Sequence, residues 1–502
     1  VSAQLAVPAA APAAPVRRAV LEAAAVFVVA LVFFRWKLGQ WNGFADYDGH
    51  FHLMVAHWIA DRGLWSDLPW LPFTVLGERG PDHQWLWHLA LVPFTAIADP
   101  AQALAWAAAV NGAATAAAAT FVMRLLGVPA APIFAVLAMT AGVSVPARFM
   151  MLRAQNIAVI YMLLAVWAMA RSRYRTLGAI AFLFLESYHA AVVLLPMALI
   201  GCAARSFEER KAIVTPAVAV AGGMTLALLV SPWFPRNVEY LLFHTLFKTT
   251  WPVYGEQMSA LVGTEWYPSA WSHIWQLAWP AHLMLVAALA GLAWRWRREP
   301  GFRPRVDTLV AIGTAALSLY LYHRAVRFAE YYVPFAVFAA GLAARDVELS
   351  FPLRRWRTAL LVAWALAAAS VGVAAVDRVP LMPPDYLARA GARINETGRT
   401  GEMVFNSLWS DFMALVWWAP AFRYINGLDG HYLAYGNPSR SAIWLALLDG
   451  GADDPATVMI SAFGARFAVI ARQHGKLAEQ LMQNPRAVLL LTAAEGWLFE
   501  LR

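Results

Sequence analysis

Apolar residues in this chain gather in long runs rather than in the short alternations of a water-soluble fold. Arg17 and Arg18 precede the first run, Ala19 to Phe34, which only Glu22 interrupts. The run ends in Arg35-Trp36-Lys37 with no small-residue cleavage site after it, so it reads as a retained first span. Further apolar runs follow at 85–98, 103–126, 129–147, 155–171, 176–203, 212–231, 272–293, 306–321, 328–344 and 358–376. A helix needs about 20 residues to cross a bilayer, so the pattern predicts a polytopic α-helical membrane protein of about 10–13 spans.

Polar segments divide these runs. Residues 1–16 are Ala/Pro-rich and aperiodic and read as a disordered tail; residues 17–376 form the membrane domain. Two long loops, 38–84 and 232–271, interrupt it. Within the first, Phe51, Val55, Trp58 and Ile59 recur at helical spacing, which predicts an amphipathic helix lying on the membrane surface. Arginines at 171/173/175, at 295/297/298/303/305 and at 345/354/355/357 mark cytoplasmic ends, and the two loops are then external. Two regions strain this scheme. Segment 176–203 must leave and return, which predicts two short helices meeting near Glu186-Ser187-Tyr188-His189. Region 85–147 needs an even number of crossings but shows three runs.

Beyond residue 376 the pattern changes. Strand-like runs at Met403–Phe405, Val458–Ile460, Phe467–Ile470 and Ala487–Leu491 alternate with helix-like ones at 384–395, 439–448 and 476–483. Residues 377–502 are therefore expected to form an external (periplasmic) α/β domain.

Composition supports this division. Hydrophobic residues make up 61% and charged residues 14% of the 502 positions, against about 25% charged in soluble domains. The 24 Trp and 29 Pro exceed what lipid-facing helices need and belong to interfaces and ordered loops. The net charge of +8 comes with no basic stripe interleaved with aromatics, which argues against a nucleic-acid partner. Cys202 is the single cysteine, which excludes an intrachain disulfide framework.

The candidate chemistry lies just after the first span, in Asp46-Tyr47-Asp48-Gly49-His50-Phe51-His52. Two carboxylates one residue apart can share a hard divalent cation such as Mg or Mn, or one can act as a general base. Asp48 also suits a helix cap, and Asp48 with His52 at i,i+4 makes a zinc site conceivable. An acidic pair in the first external loop, then a surface helix, many spans and an external C-terminal domain resembles the GT-C superfamily of glycosyltransferases. The layout is similar to oligosaccharyltransferase catalytic subunits, and also to dolichyl-phosphate-mannose protein mannosyltransferases and aminoarabinose transferases.

The resemblance implies a membrane glycosyltransferase. It would move a sugar or glycan from a polyprenyl-phosphate or polyprenyl-diphosphate carrier to a protein, lipid or glycan acceptor on the external face of the cytoplasmic (inner) membrane. It implies Asp48 and Asp46 as catalytic, with Asp46, Asp48 and His52 as metal ligands if a cation is used. Glu256 or Glu265 matches the glutamate of the family's long external loop. Trp409-Ser410-Asp411-Phe412 looks like a degenerate form of its acceptor-recognition motif, so Trp409 and Asp411, with His83 and Tyr267, are the acceptor candidates. One departure stands out. The second external Asp-x-Asp of oligosaccharyltransferases falls near 146–156, where this chain has Arg148 and Arg153 and no acid. A hydroxyl acceptor, which needs only a base, fits that departure.

External arginines are the remaining signal. Arg236, Arg324 and Arg327, with Arg153, are candidates for the donor phosphate, because guanidinium forks match phosphate oxygens. An Arg327–Glu330 surface pair is the bland alternative. Two rival functions are a transporter or flippase of lipid-linked sugar and a non-catalytic glycan-assembly protein. The first predicts internal repeats, and none is visible.

Overall fold

A computed structural model describes residues 13–41, 43–44, 47–78, 80–247, 261, 263–347 and 353–502. Asp46 and Glu256 lie outside the described residues.

The chain is a polytopic helical membrane protein with a C-terminal α/β domain. Among the described residues, five helices are long and apolar enough to cross a bilayer: Val16–Gln40, Pro100–Leu125, His189–Glu209, Trp271–Arg298 and Val306–Arg324. Shorter apolar helices fill the bundle between them, including Ala131–Thr140, Gln155–Ala170 and Thr215–Val230. The first helix begins at Ala13, so the expected tail of 1–16 ends in four helical residues. Val20, Leu21, Val28, Val29 and Val32 on that helix are exposed, as are Val218, Leu226 and Leu229 on helix Thr215–Val230. Such apolar faces suit lipid, not water. The inner faces share one core through Phe34, Phe134, Phe149, Phe184, Phe335 and Phe338. Helices Tyr174–Ser187 and Thr215–Val230 approach so closely that a Cβ on Gly223 would lie 2.1 Å from the Gly178 carbonyl oxygen. Small residues permit that approach in membrane bundles.

The two difficult regions take different forms. Run 85–98 is a short helix, Trp85–Leu91, and a 3₁₀ turn, Val92–Ala96; it and the 10-residue Ala131–Thr140 are both shorter than a full span, and among the described residues of this region Pro100–Leu125 is the helix long enough to cross. Helices Tyr174–Ser187 and Leu194–Glu209 meet at Tyr188, whose extended backbone breaks the run near the expected place.

The bundle's two ends differ in chemistry. At one end Arg345 binds Asp307 at 2.7 Å and Arg124 binds Glu22 at 2.6 Å. The other end carries the C-terminal domain. There, helix Asp48–Arg62 does not lie on lipid as expected. Leu53 and Ala56 join the bundle core, while Phe51, Val55 and Ile59 join a second core with Trp70, Phe412 and Leu415. Apolar residues on both faces make it a buried spacer between the two domains.

The C-terminal domain holds five strands: β1 (Met403–Asn406), β2 (Arg423–Tyr424), β3 (Ala465–Ala471), β4 (Ala487–Thr492) and β5 (Gly496–Leu501), in the order β2-β1-β3-β5-β4. β1 runs parallel to β2 and β3; β5 is antiparallel to β3 and β4. Val458–Ile460, expected as a strand, lies in helix Pro455–Phe463. Asp454 caps its start by accepting from Thr457 N at 3.1 Å, and Gly464 ends it at φ 67°. The domain is stitched to the first loop. Phe44 and Met382 pair through backbone hydrogen bonds of 2.8 and 2.9 Å, Tyr47 stacks on Tyr386 at 4.5 Å, and Trp70 Nε1 donates to the Pro420 carbonyl at 2.9 Å.

Candidate functional site

Five short segments meet where the helices end beneath the C-terminal domain. Asp48 opens the helix Asp48–Arg62, Arg148 sits in Val145–Phe149, and Arg153 follows it. Glu265 lies in the 3₁₀ turn Thr264–Trp266 and Arg327 in the turn Val326–Phe328. Glu330 starts the next helix.

Their charges interlock. Arg153 Nη2 is 3.2 Å from Asp48 Oδ2, and its Nη1 is 3.1 Å from Glu265 Oε2. Arg148 Nη2 reaches the same Glu265 oxygen at 3.1 Å, and its Nη1 reaches Glu330 Oε2 at 3.4 Å. Arg327 Nη1 lies 3.2 Å from Glu265 Oε1, with its guanidinium 4.3 Å from the Trp266 ring centre. Burial alone would raise the Glu265 pKa, but Arg153, Arg327 and Arg148 outweigh it and hold the carboxyl well below the usual carboxylate range. A carboxylate so held does not take protons at neutral pH. Glu265, expected to be catalytic, thus meets three guanidiniums.

Asp48 and Arg327 line one cleft of about 610 Å³, counting its open mouth, together with His52, His83, Trp266 and Tyr432. A wall of imidazoles and phenols stands beside them. His83 Nε2 is 3.1 Å from Tyr240 Oη, and His244 Nε2 is 2.6 Å from Tyr240 Oη and 2.7 Å from Tyr432 Oη. His52 Nδ1 pairs with His88 Nε2 at 2.9 Å, and His88 Nδ1 with Asp82 at 2.7 Å. Burial first, then the neighbouring His88 and Arg153, push the His52 pKa well below its usual value, so it is neutral. Of the expected metal set, Asp48 and His52 are described. Asp48 goes to Arg153 and His52 Nδ1 to His88, and no three His, Cys, Asp or Glu side chains are arranged around a common ion position. Asp46, its third expected member, lies outside the described residues.

The structure thus gathers Asp48, Arg153, Glu265, Arg327, His52 and His83. The other described sequence candidates do not line this cleft. Arg324 is exposed and does not line the cleft. Arg236 donates to the Leu76 carbonyl at 3.1 Å. Tyr267 is held by its carbonyl, which accepts from Val326 N at 3.3 Å. Trp409 packs in the C-terminal core against Gly263. Asp411 is buried and accepts from Tyr386 Oη at 2.8 Å, a bond within the C-terminal domain. Sequence reading missed Arg148, Tyr240, His244 and Tyr432 as site residues. The arginines standing where an acidic pair was sought were the available signal for Arg148.

No family model matches the chain, and no curated protein matches it in sequence. Solved structures do. The apo oligosaccharyltransferase of Archaeoglobus fulgidus superposes with a TM-score of 0.62 at 12% identity, covering 96% of this chain and 74% of that one. The archaeal oligosaccharyltransferase AglB from Archaeoglobus fulgidus, solved with an inhibitory peptide and a dolichol-phosphate, gives 0.61 at 13% identity, with 96% and 74% covered. ArnT from Cupriavidus metallidurans in the apo state gives 0.56 at 14% identity and covers 95% of this chain and 97% of that one. Identity this low speaks to architecture alone, and on that ground the chain shares the fold of these oligosaccharyltransferase and ArnT structures.

Proposed function

We propose that this protein transfers a sugar from a polyprenyl-phosphate or polyprenyl-diphosphate carrier to a hydroxyl acceptor on the external face of the membrane. The observation that carries the reading is that Asp48 and Arg327 line one cleft, with Arg153 linking Asp48 to the anchored Glu265. In the reaction, the acceptor oxygen bonds to the anomeric carbon as the bond from that carbon to the phosphate oxygen breaks. The leaving phosphate keeps the electron pair, and the hydroxyl proton passes to Asp48. Charge therefore develops on the phosphate, where Arg327 can meet it. That residue spends Nη1 on Glu265 and keeps further donors of its five for an anion. Because Glu265 fixes the guanidiniums before substrate arrives, little reorganisation is needed at the moment of transfer.

A solved structure of the Archaeoglobus fulgidus oligosaccharyltransferase contains zinc and sulfate. Here Asp48 is paired with Arg153 and Asp46 lies outside the described residues, so we route no step through a metal. The location of the cleft where the bundle meets the C-terminal domain suits a carrier whose tail stays in lipid, and AglB has been solved with a dolichol-phosphate. The test uses the full chain in liposomes with a synthetic polyprenyl-phosphate sugar and hydroxyl acceptors. Acceptor-dependent release of carrier is expected. If the donor only crosses the bilayer intact, the protein is a transporter instead.

A further inference from the structure

Behind the imidazole wall lies a second cavity, of about 410 Å³, that the arginine cluster does not reach. His83 and His189 line both spaces. On the far side the lining is Glu186, Trp85, Trp233 and Asn237, with no arginine or lysine. Glu186 sits in the last turn of its helix and is 7% exposed. Its Oε2 accepts from Trp85 Nε1; among the described residues its Oε1 has no hydrogen-bond partner. An ionisable group enclosed at the edge of a membrane bundle is costly, and one with an open oxygen facing a cavity points to a ligand. The indoles form the cavity's outer side, where Trp65 stands 4.8 Å from Trp85 and 5.8 Å from Trp233, and Trp65 is half exposed.

We propose that this cavity is a saccharide subsite, separate from the phosphate-facing cleft. The inference deepens the glycosyl-transfer reading and rests on it. A sugar ring offers two kinds of surface. Its C–H faces carry slight positive charge and pack on the electron-rich faces of Trp85 and Trp233. Its hydroxyl edge donates to the Glu186 carboxylate, a charge-assisted bond. With neither Arg nor Lys in the lining, the cavity does not favour the phosphate, so it sorts the sugar from the anion that the neighbouring cleft takes. The ring belongs either to the donor or to the acceptor.

The experiment is saturation-transfer NMR on the full chain in detergent, with methyl glycosides of common hexoses and aminohexoses as probes. Wild type should transfer saturation to at least one glycoside. Glu186→Gln should weaken that binding by about 10-fold or more, the worth of a charge-assisted hydrogen bond, and Trp233→Leu should weaken it independently. Both variants must elute as monodisperse protein; should one fail, the other decides. Displacement of the glycoside by a polyprenyl-phosphate sugar, but not by sugar-free polyprenyl phosphate, assigns the subsite to the donor. Persistence of the glycoside under both assigns it to the acceptor. Saturation transfer to no glycoside, or equal transfer to wild type and the monodisperse variants, overturns the proposal. Sugar-free polyprenyl phosphate reads the arginine cleft separately, so its failure to bind would remove the donor reading without touching the glycoside result.

Discussion

Arg153 bridges two carboxylates that lie far apart in sequence, Asp48 at 3.2 Å and Glu265 at 3.1 Å. Asp48 faces the cleft, whereas Glu265 is enclosed by three guanidiniums. Two carboxylates on one arginine thus have different surroundings, and the consequence is measurable.

If Asp48 is the base, Asp48→Asn should lower kcat by about 10²- to 10⁴-fold, the usual worth of general-base catalysis. The donor KM should change little, because Arg327 still holds the phosphate. Steady-state kinetics with a polyprenyl-phosphate sugar makes the check. A wild-type rate in a correctly inserted variant would falsify the base assignment.

Glu265→Gln should act differently. Removing the shared carboxylate of a partly buried ion cluster leaves three guanidiniums uncompensated, which costs stability. The variant should show a lower Tm and a raised donor KM, with Glu265→Asp recovering part of each. A loss of kcat alone, at unchanged KM and Tm, would return Glu265 to a direct chemical role.

Arg327→Ala should weaken binding of sugar-free polyprenyl phosphate by about 10-fold or more, as loss of a charge-assisted contact does. Arg324→Ala should leave binding unchanged, since that side chain is exposed and outside the cleft. The pair of variants separates a phosphate site from a general surface charge. Equal effects would favour the surface.

These contrasts show what was legible in the chain. Asp48 was legible because a helix start is local: an acid, then apolar residues at helical spacing. The break near Tyr188 was legible because a 28-residue run cannot cross twice and must turn somewhere. The role of Glu265 was not, since it depends on Arg148, Arg153 and Arg327, brought in from two other segments. Tyr240, His244 and Tyr432 were hidden for the same reason. Their hydroxyl and imidazole contacts join positions up to 192 residues apart. Helix Asp48–Arg62 was half legible: one apolar stripe was visible, but Leu53 and Ala56 on its other side gain meaning only when a second domain covers the helix.

The last prediction concerns the Tyr386–Asp411 bond inside the C-terminal domain. Burial raises its pKa to about 7, with Glu495 adding to the rise and the hydrogen bond from Tyr386 opposing it. In the unfolded chain the same group titrates near 3.8. The folded state therefore holds this proton over a pH range in which the unfolded state has released it, so stability falls as pH rises from about 4 to about 7 and then levels. Asp411→Asn cannot lose a proton, so it should remove that part of the slope while keeping an acceptor for Tyr386. Thermal unfolding of the detergent-solubilised chain between pH 4 and pH 8 reads the effect. His52 works in the opposite sense. Its lowered pKa makes the folded state resist a proton that the unfolded state accepts, so acidification below about 6.5 costs stability. The Asn variant should expose this opposing branch, with its Tm rising from acid toward neutral pH and without the decline over about pH 4 to 7 that wild type owes to Asp411. A wild type and variant with parallel Tm profiles would mean that Asp411 is ionised in the folded protein, and that the Tyr386 contact is an ordinary charged hydrogen bond.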